Sequence, residues 1–297
     1  MRYIIIISLL LLTANLPAQY RYSKWVIGEG TGYNSKEQIL IDFLPNRPTS
    51  TLLTSSIDFR CENCPTICNE AGELQFYSNG RLVLNRNGDL MENGDGFPYG
   101  YLSYNYDPAQ GFDFYVKNSF ILPDFNKPQT YYYFYIDQFH GTDGTYLDEI
   151  RTSLYYLKVD MSQNNGLGKV VEKNVPVLLR DSLTGYLCFT PIRHANGRDW
   201  WFITNEAGTN TYHRVLWSPD GFKTDFPPFT VAGPDTIDAN IIPYSRSIDG
   251  SKFAVGSSHS MWVYDFNRCS GMLSNPIKLT EDTIDFHWVY DLSLIHI

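Results

Sequence analysis

The sequence predicts an all-β fold, a β-propeller of four-stranded antiparallel blades, on three observations. Short runs rich in Tyr, Phe, Val and Ile alternate along the 297 residues with turns holding Gly, Asn, Asp or Pro. Aromatic residues reach 15%, with 22 Tyr and 18 Phe, and no long amphipathic helical pattern competes with them. Turns that open successive groups of runs fall near Gly72, Gln129, Gly197 and Gly250, roughly 50–70 residues apart, which suits a blade of four strands with inserted loops. One such sheet cannot bury both faces alone, so several must pack around an axis. A sandwich of irregular strands is the alternative use of the same runs.

The elements follow in order. Trp25-Val26-Ile27-Gly28 is a strand entering a glycine-rich turn through Gly32; the turn lacks the spacing of a dinucleotide fingerprint. Residues 37–58 carry apolar pieces split by Pro45 and Pro48 and are expected to be loop and edge strand. From Cys64 to Met91 the chain reads as a meander: Pro65 to Cys68, Leu74 to Tyr77 and Leu82 to Leu84, joined at Gly72, Gly80 and Gly88. Phe120-Ile121-Leu122 is stopped by Pro123. Tyr131 to Ile136, Leu154 to Asp160 and Val170 to Lys173 form the next group. Trp200 to Ile203 and Thr211 to Trp217 form the third, closed by the turn Ser218-Pro219-Asp220-Gly221. Lys252 to Gly256, Ser260 to Asp265 and Leu273 to Ile277 form the fourth.

The stretch from Arg193 to Ile203 is the clearest unit. Asn196-Gly197 is a strong turn signal because both residues tolerate positive φ. The run Trp200-Trp201-Phe202-Ile203 behind it is uninterrupted and β-prone, so it is expected to be buried on both faces. His194, Arg198 and Asp199 are the residue types of acid–base chemistry. Flanking a turn, they are expected instead to cap it by side-chain to backbone hydrogen bonds. The structural motif is thus His194, Asn196, Gly197, Asp199, Trp200 and Trp201, and no catalytic residue is assigned.

Residues 1–18 have the layout of a secretory signal peptide: Arg2, an apolar run from Ile4 to Leu12, then small residues to Ala18. That run is too short to span a bilayer, so no membrane insertion of the mature chain is expected. Export permits disulfides, and Cys61, Cys64, Cys68, Cys188 and Cys269 are the candidates; five is odd, so one must stay free or pair between chains. Cys61-x2-Cys64-x3-Cys68 has metal-ligand spacing but no nearby fourth Cys, and no metal or cofactor is assigned. Asn85 to Asp89 and Asn93 to Gly96 resemble a calcium loop without its Gly and Glu positions. The net charge of −9 argues against nucleic acid as a partner. Neither a metallohydrolase histidine motif nor a GxSxG elbow occurs.

Three segments resemble a known family: Cys64-x-Thr66-Ile67-x4-Gly72-x-Leu74-x-Phe76-Tyr77-x2-Gly80, then Arg193 to Trp201, then Tyr264-Asp265-Phe266-x-Arg268-Cys269-x-Gly271-x-Leu273-Ser274-Asn275-Pro276. They are similar to the N-terminal WD40-like or quinoprotein-like propeller of Bacteroidetes surface proteins that carry a type IX secretion sorting domain. Many of these are gliding-motility-associated C-terminal domain proteins, often with PKD domains between. The resemblance implies a WD40-like or YVTN-like propeller, secreted or at the cell surface, with no catalytic residues to carry over. In WD-type blades a His–Asp pair ties strands together, as His194 and Asp199 would. The propeller is assigned to residues 19–292 and expected to be incomplete, because a new strand opens at Phe286 to Tyr290; residues 293–297 look like a non-native tail. An open arc with an apolar end face is the corresponding expectation.

The expected function is a non-catalytic binding or adhesion module for an extracellular protein or glycan. The alternative is an extracellular propeller enzyme, a polysaccharide lyase or glycosidase or a quinoprotein-like oxidoreductase, which rests on fold analogy.

Overall fold

The computed structural model describes residues 20–28, 36–44, 47–59, 64–97, 119–139, 151–184, 189–206, 209–233, 244–256 and 261–279. The expected signal peptide 1–18, Cys61, Cys188, the strand Phe286 to Tyr290 and the tail 293–297 lie outside them. Among the described residues the chain is all β apart from a single 3-10 turn at Asn164–Gly166 and a turn at its start. It divides into two compact units, the first built mainly on Met1–Asp95 and the second mainly on Phe114–Asp160 and Val170–Ile297.

In the first unit, β1 (Lys24–Gly28), β2 (Glu37–Asp42) and β3 (Thr49–Thr54) form one antiparallel sheet. Of the loop and edge strand expected over 37–58, β3 is indeed an edge strand, whereas β2 is the central strand of its sheet, and there the expectation is corrected. The ladder stops at Asp42 and resumes at Thr49, and Ile39-Leu40-Ile41 pairs with Ile27-Val26-Trp25 on one side and Leu52-Thr51-Ser50 on the other. A second sheet runs β4 (Thr66–Cys68), β5 (Leu74–Ser78) and β6 (Val83–Asn85). Its strands are short and buried, and Tyr77, Leu84, Phe59 and Val26 pack together in this unit's core.

The second unit holds three sheets, each a meander. The first contains β7 (Phe120–Pro123), β8 (Thr130–Phe139), β9 (Arg151–Asp160) and β10 (Lys169–Thr184). The second contains β11 (Thr190–Arg193), β12 (Trp200–Asn205), β13 (Thr211–Ser218) and β14 (Gly221–Lys223), with β15 (Phe229–Thr230) also paired to β13. The third contains β16 (Tyr244–Arg246), β17 (Lys252–Gly256), β18 (Met261–Asn267) and β19 (Met272–Lys278).

Period-2 alternation decides how these sheets stack. On β12, Trp200 and Phe202 face Leu122, Phe134 and Leu154 of the preceding sheet. Trp201 and Ile203 face Phe253, Val255, Tyr264 and Phe266 of the following sheet. β13 divides in the same way, Val215 and Trp217 one way and Tyr212 the other. The middle sheet is therefore dressed with large apolar side chains on both faces. Each such side chain contributes about 1.5–3 kcal/mol when fully buried.

In four of the five sheets the first hairpin turns on one device. The Oδ1 of Asn69, Asp124, Asn196 or Asp249 accepts the backbone N–H two residues ahead, at 3.0, 2.8, 3.0 and 2.9 Å. This Asx turn satisfies the backbone where the ladder stops.

Candidate functional site

The turn between β11 and β12 is knit internally. Asn196 Oδ1 accepts the N–H groups of Arg198 and Asp199, both at 3.0 Å, and Asn196 Nδ2 donates to Asp199 Oδ2 at 2.8 Å. Arg198 Nε donates to Asp199 Oδ1 at 2.6 Å. His194 Nδ1 accepts the Asn196 N–H at 3.0 Å, so the ring proton sits on Nε2, which donates to the Cys269 carbonyl at 3.2 Å. The Arg193 guanidinium lies 4.6 Å from the Trp200 ring centroid.

Cys269 belongs to the turn between β18 and β19, and that turn clasps this one. Trp201 Nε1 donates to the Arg268 carbonyl at 2.9 Å, and the Ala195 N–H reaches the same oxygen at 3.1 Å. Arg268 Nε returns a bond to the Arg193 carbonyl at 2.9 Å. Gly271, at φ +71, lets Trp201 approach: a Cβ there would lie 3.0 Å from Trp201 Cδ2. Of the sequence motif, His194 and Trp201 bond across to the β18–β19 turn, Asn196, Gly197 and Asp199 shape their own turn, and Trp200 faces the preceding sheet. His194 Nδ1 is engaged within its own turn and Nε2 in the bond across to Cys269, while the Asp199 carboxylate is held by Arg198 and Asn196 beside it.

The carboxylates of these turns are held in their charged form. Hydrogen bonds from Arg198 and then Asn196 hold the Asp199 carboxyl below its usual range against the opposing effect of burial. Asp249, hydrogen-bonded by the Ser247 hydroxyl and then by the Ser251 N–H and hydroxyl, is lowered to about 2. A carboxylate whose folded-state pKa is depressed stabilises the fold fully above its unfolded value, and that stability disappears as pH falls through the folded value. Stability to urea should therefore decline as pH drops from about 4 towards about 2. Asp249→Asn should be less stable than wild type at pH 6 and should flatten that decline; an unchanged acid profile would refute the assignment.

The cysteine expectations need correcting at two positions. Cys64 is disulfide-bonded, to a partner outside the described residues. Cys68 and Cys269 are free thiols, so neither joins a disulfide. Cys68 points from β4 into the core, where burial pushes its thiol up to about 11 and makes it unreactive. Cys269 stands exposed at the clasp turn, where Asn267 Oδ1 binds its N–H at 3.0 Å. Among the described residues no three His, Cys, Asp or Glu side chains gather as metal ligands. In the calcium-like segment, Asn85 Oδ1 accepts the N–H groups of Asn87 and Asp89 at 2.8 and 3.3 Å, the geometry of a turn.

One group escaped the sequence reading. At the far end of the β12–β13 hairpin, His213 Nε2 lies 2.7 Å from Glu206 Oε1, and His213 is 3% exposed. The carboxylate accepts, so Nε2 carries a proton. Nδ1 has no hydrogen-bond partner, and neither does the buried Thr204 hydroxyl directly across the ladder. The two share the face of Phe202 and Val215, since parity places them there. The available signal was polar residues at core parity, Thr204 two places beyond Phe202 and His213 two before Val215. Thr204→Val keeps the side-chain shape and removes an unsatisfied hydroxyl, so its melting temperature should equal or exceed wild type. A fall of about 3 °C or more would show that the hydroxyl has a stabilising partner.

No protein-family model matches the chain, and no curated protein sequence matches it either. Among solved structures it is similar to a functionally unknown protein from Desulfotomaculum acetoxidans, with TM-score 0.43 and 13% identity over 87% of this chain and 67% of that one. It is similar also to a Bacteroides fragilis protein provisionally assigned as a 6-phosphogluconolactonase, with TM-score 0.40 and 10% identity over 88% of this chain and 68% of that one. A third is the β-propeller domain of Cps50 (Swd1) from Myceliophteria thermophila, with TM-score 0.37 and 10% identity over 88% of this chain and 85% of that one.

Proposed function

We propose that the three stacked sheets of the second unit are successive propeller blades, and that the chain is an exported, cell-surface binding or adhesion module for a protein or glycan. The observation that carries the blade reading is β12, whose alternate side chains enter two different neighbouring sheets. Consecutive meanders packed face to face in chain order are what a radial repeat requires. The binding reading is supported by the fate of the one polar motif prominent in the sequence, which is spent on holding two sheets together. Export rests on residues 1–18, and assignment to the type IX secretion surface proteins rests on the three segments that resemble them. The acidic balance suits such a setting and opposes binding to nucleic acid. Among the described residues no helix is long and apolar enough to cross a membrane.

The purified protein applied to glycan and extracellular-protein arrays tests the binding reading: retention by at least one component is expected, and none would refute it. N-terminal sequencing of the exported chain should begin at Gln19; an intact Met1 would refute the leader.

A second reading, a propeller enzyme acting on extracellular polysaccharide, is favoured by one observation. Glu206 Oε1 holds His213 Nε2 at 2.7 Å, the pairing of a carboxylate-oriented imidazole. Turnover on a polysaccharide panel, abolished by His213→Gln with folding intact, would establish it. Turnover unaffected by that change would remove His213 from the reading.

A further inference from the structure

A sheet edge presents backbone N–H and C=O groups that another strand can complete, and folded proteins blunt such edges with proline, charge or brevity. Among the described residues this chain does so at its other outer strands. β7, β10, β11 and β19 each contain a proline, and β4, β6, β14, β15 and β16 hold three residues or fewer. β1 is bridged at Val26 to Cys64. β3 is the exception. Its six residues, Thr49-Ser50-Thr51-Leu52-Leu53-Thr54, include neither proline nor charge, and all but Leu53 are exposed. Leu52 is 62% exposed.

The direction of each backbone group on β3 follows from its register. The Ser55 N–H donates to the Lys36 carbonyl at 2.7 Å, so Ser55 faces β2, and by alternation so do Leu53, Thr51 and Thr49. Ser50, Leu52 and Thr54 turn their N–H and C=O the other way. At Thr54 that side is taken by Gly88, on whose notional Cβ the Thr54 carbonyl oxygen impinges. At Ser50 and Leu52 these groups have no hydrogen-bond partner among the described residues. The open edge is thus Thr49 to Leu53, centred on Thr51.

We propose that this edge is a self-association surface, on which β3 pairs antiparallel with β3 of a second copy about a two-fold axis at Thr51. Outward-facing groups must meet outward-facing groups. Ser50 then stands opposite the partner's Leu52, and Leu52 opposite the partner's Ser50, each pair exchanging both N–H···O=C bonds. The neighbouring registers fail. Centring on Leu52 would set Ser50 against the partner's Thr54, where Gly88 stands. Centring on Ser50 would set Leu52 against the partner's Pro48, which has no N–H. In the Thr51 register Leu52 and Leu53 each meet a Ser or Thr, large against small, which suits close cross-strand packing. A second copy fits because β3 is uncharged: two chains of net charge −9 meet here without like charges on the paired strands. Pairing uses up the edge in both copies, so assembly closes at the dimer. The strip is small beside the roughly 800 Å² per partner of a standard interface, so the dimer is expected to be reversible.

Sedimentation equilibrium of the purified chain from about 1 μM to about 1 mM should show monomer and dimer in reversible exchange and nothing larger. Leu52→Pro removes an outward N–H, leaves the bonds to β2 in place, and should weaken dimerisation about tenfold or more. Thr51→Lys sets two like charges across the axis without altering the backbone and should also weaken it, most at low salt. That surface variant carries the test should Leu52→Pro fail to fold, and Thr51→Val should dimerise like wild type. Amide exchange read by NMR should slow at Ser50 and Leu52 as concentration rises, while Leu53, bonded to β2, should not change. Monomer at every concentration, a dimer indifferent to both Leu52→Pro and Thr51→Lys, or growth into open-ended aggregates would overturn the proposal.

Discussion

Trp201→Ala should cost about 3–5 kcal/mol, the range for emptying a large buried aromatic position. For a chain of this size that is roughly a 10 °C fall in melting temperature. The side chain is 2% exposed and packs among Ile192, Tyr212, Phe253 and Tyr264 between two sheets. The loss exceeds simple burial for two reasons. The Trp201 Nε1–H donates to the Arg268 carbonyl at 2.9 Å, and that oxygen also binds the Ala195 N–H, so the indole helps fix the opposing turn. Phe226 rests its ring edge-on 5.4 Å from the indole and would lose that support. Ile248→Ala is the control, since Ile248 is 76% exposed and its truncation removes almost no contact. Equal melting temperatures for Trp201→Ala and wild type would show that β12 does not lie between two sheets.

The same strand shows how much the sequence made legible. An unbroken aromatic run behind Asn196-Gly197 announced a strand buried on both faces, and Trp200 and Trp201 do point into different cores. The turns were legible because Asn, Asp and Gly signal them locally. Short strands were not: β11, β14 and β16 hold only 4, 3 and 3 residues and are defined by their neighbours' ladders more than by their own composition. β2 was hidden because Pro45 and Pro48, which follow it, suggested interruption, although its own residues are ordinary strand formers. The candidate sites were less legible still. His194 and Asp199 stood out as chemistry-bearing residues in a turn; His194 bonds across to Cys269, and Asp199 bonds within its own turn. His213 and Thr204 were masked by the aromatic residues around them. What marks them is a buried polar atom without a hydrogen-bond partner, a property of three-dimensional surroundings that spacing along the chain does not encode.

Glycines separate two kinds of constraint, and the difference should be measurable. Gly88, at φ +84, follows β6, and its carbonyl accepts the Ser56 N–H at 2.9 Å. A Cβ at Gly88 would meet the carbonyl oxygen of Thr54, and Ser55 Cα at 3.1 Å, all of it backbone. Backbone cannot rotate aside as a side chain can, so the loop leaving β3 would have to withdraw and surrender that hydrogen bond. Gly197, at φ +72, has nothing within 4 Å of its notional Cβ. Alanine there meets only the left-handed backbone strain, about 1–2 kcal/mol, reduced somewhat by the lower entropy of the unfolded chain. At Gly88 the same strain is joined by overpacking, typically another ~1–3 kcal/mol, and by a lost backbone hydrogen bond. Gly88→Ala should therefore cost about 3–5 kcal/mol against about 1 for Gly197→Ala. Hydrogen exchange should place the damage, with lost protection in the strands of residues 24–85 for Gly88→Ala and little change there for Gly197→Ala. Equal, small effects at both positions would show that the turn after β6 does not rest against the loop leaving β3.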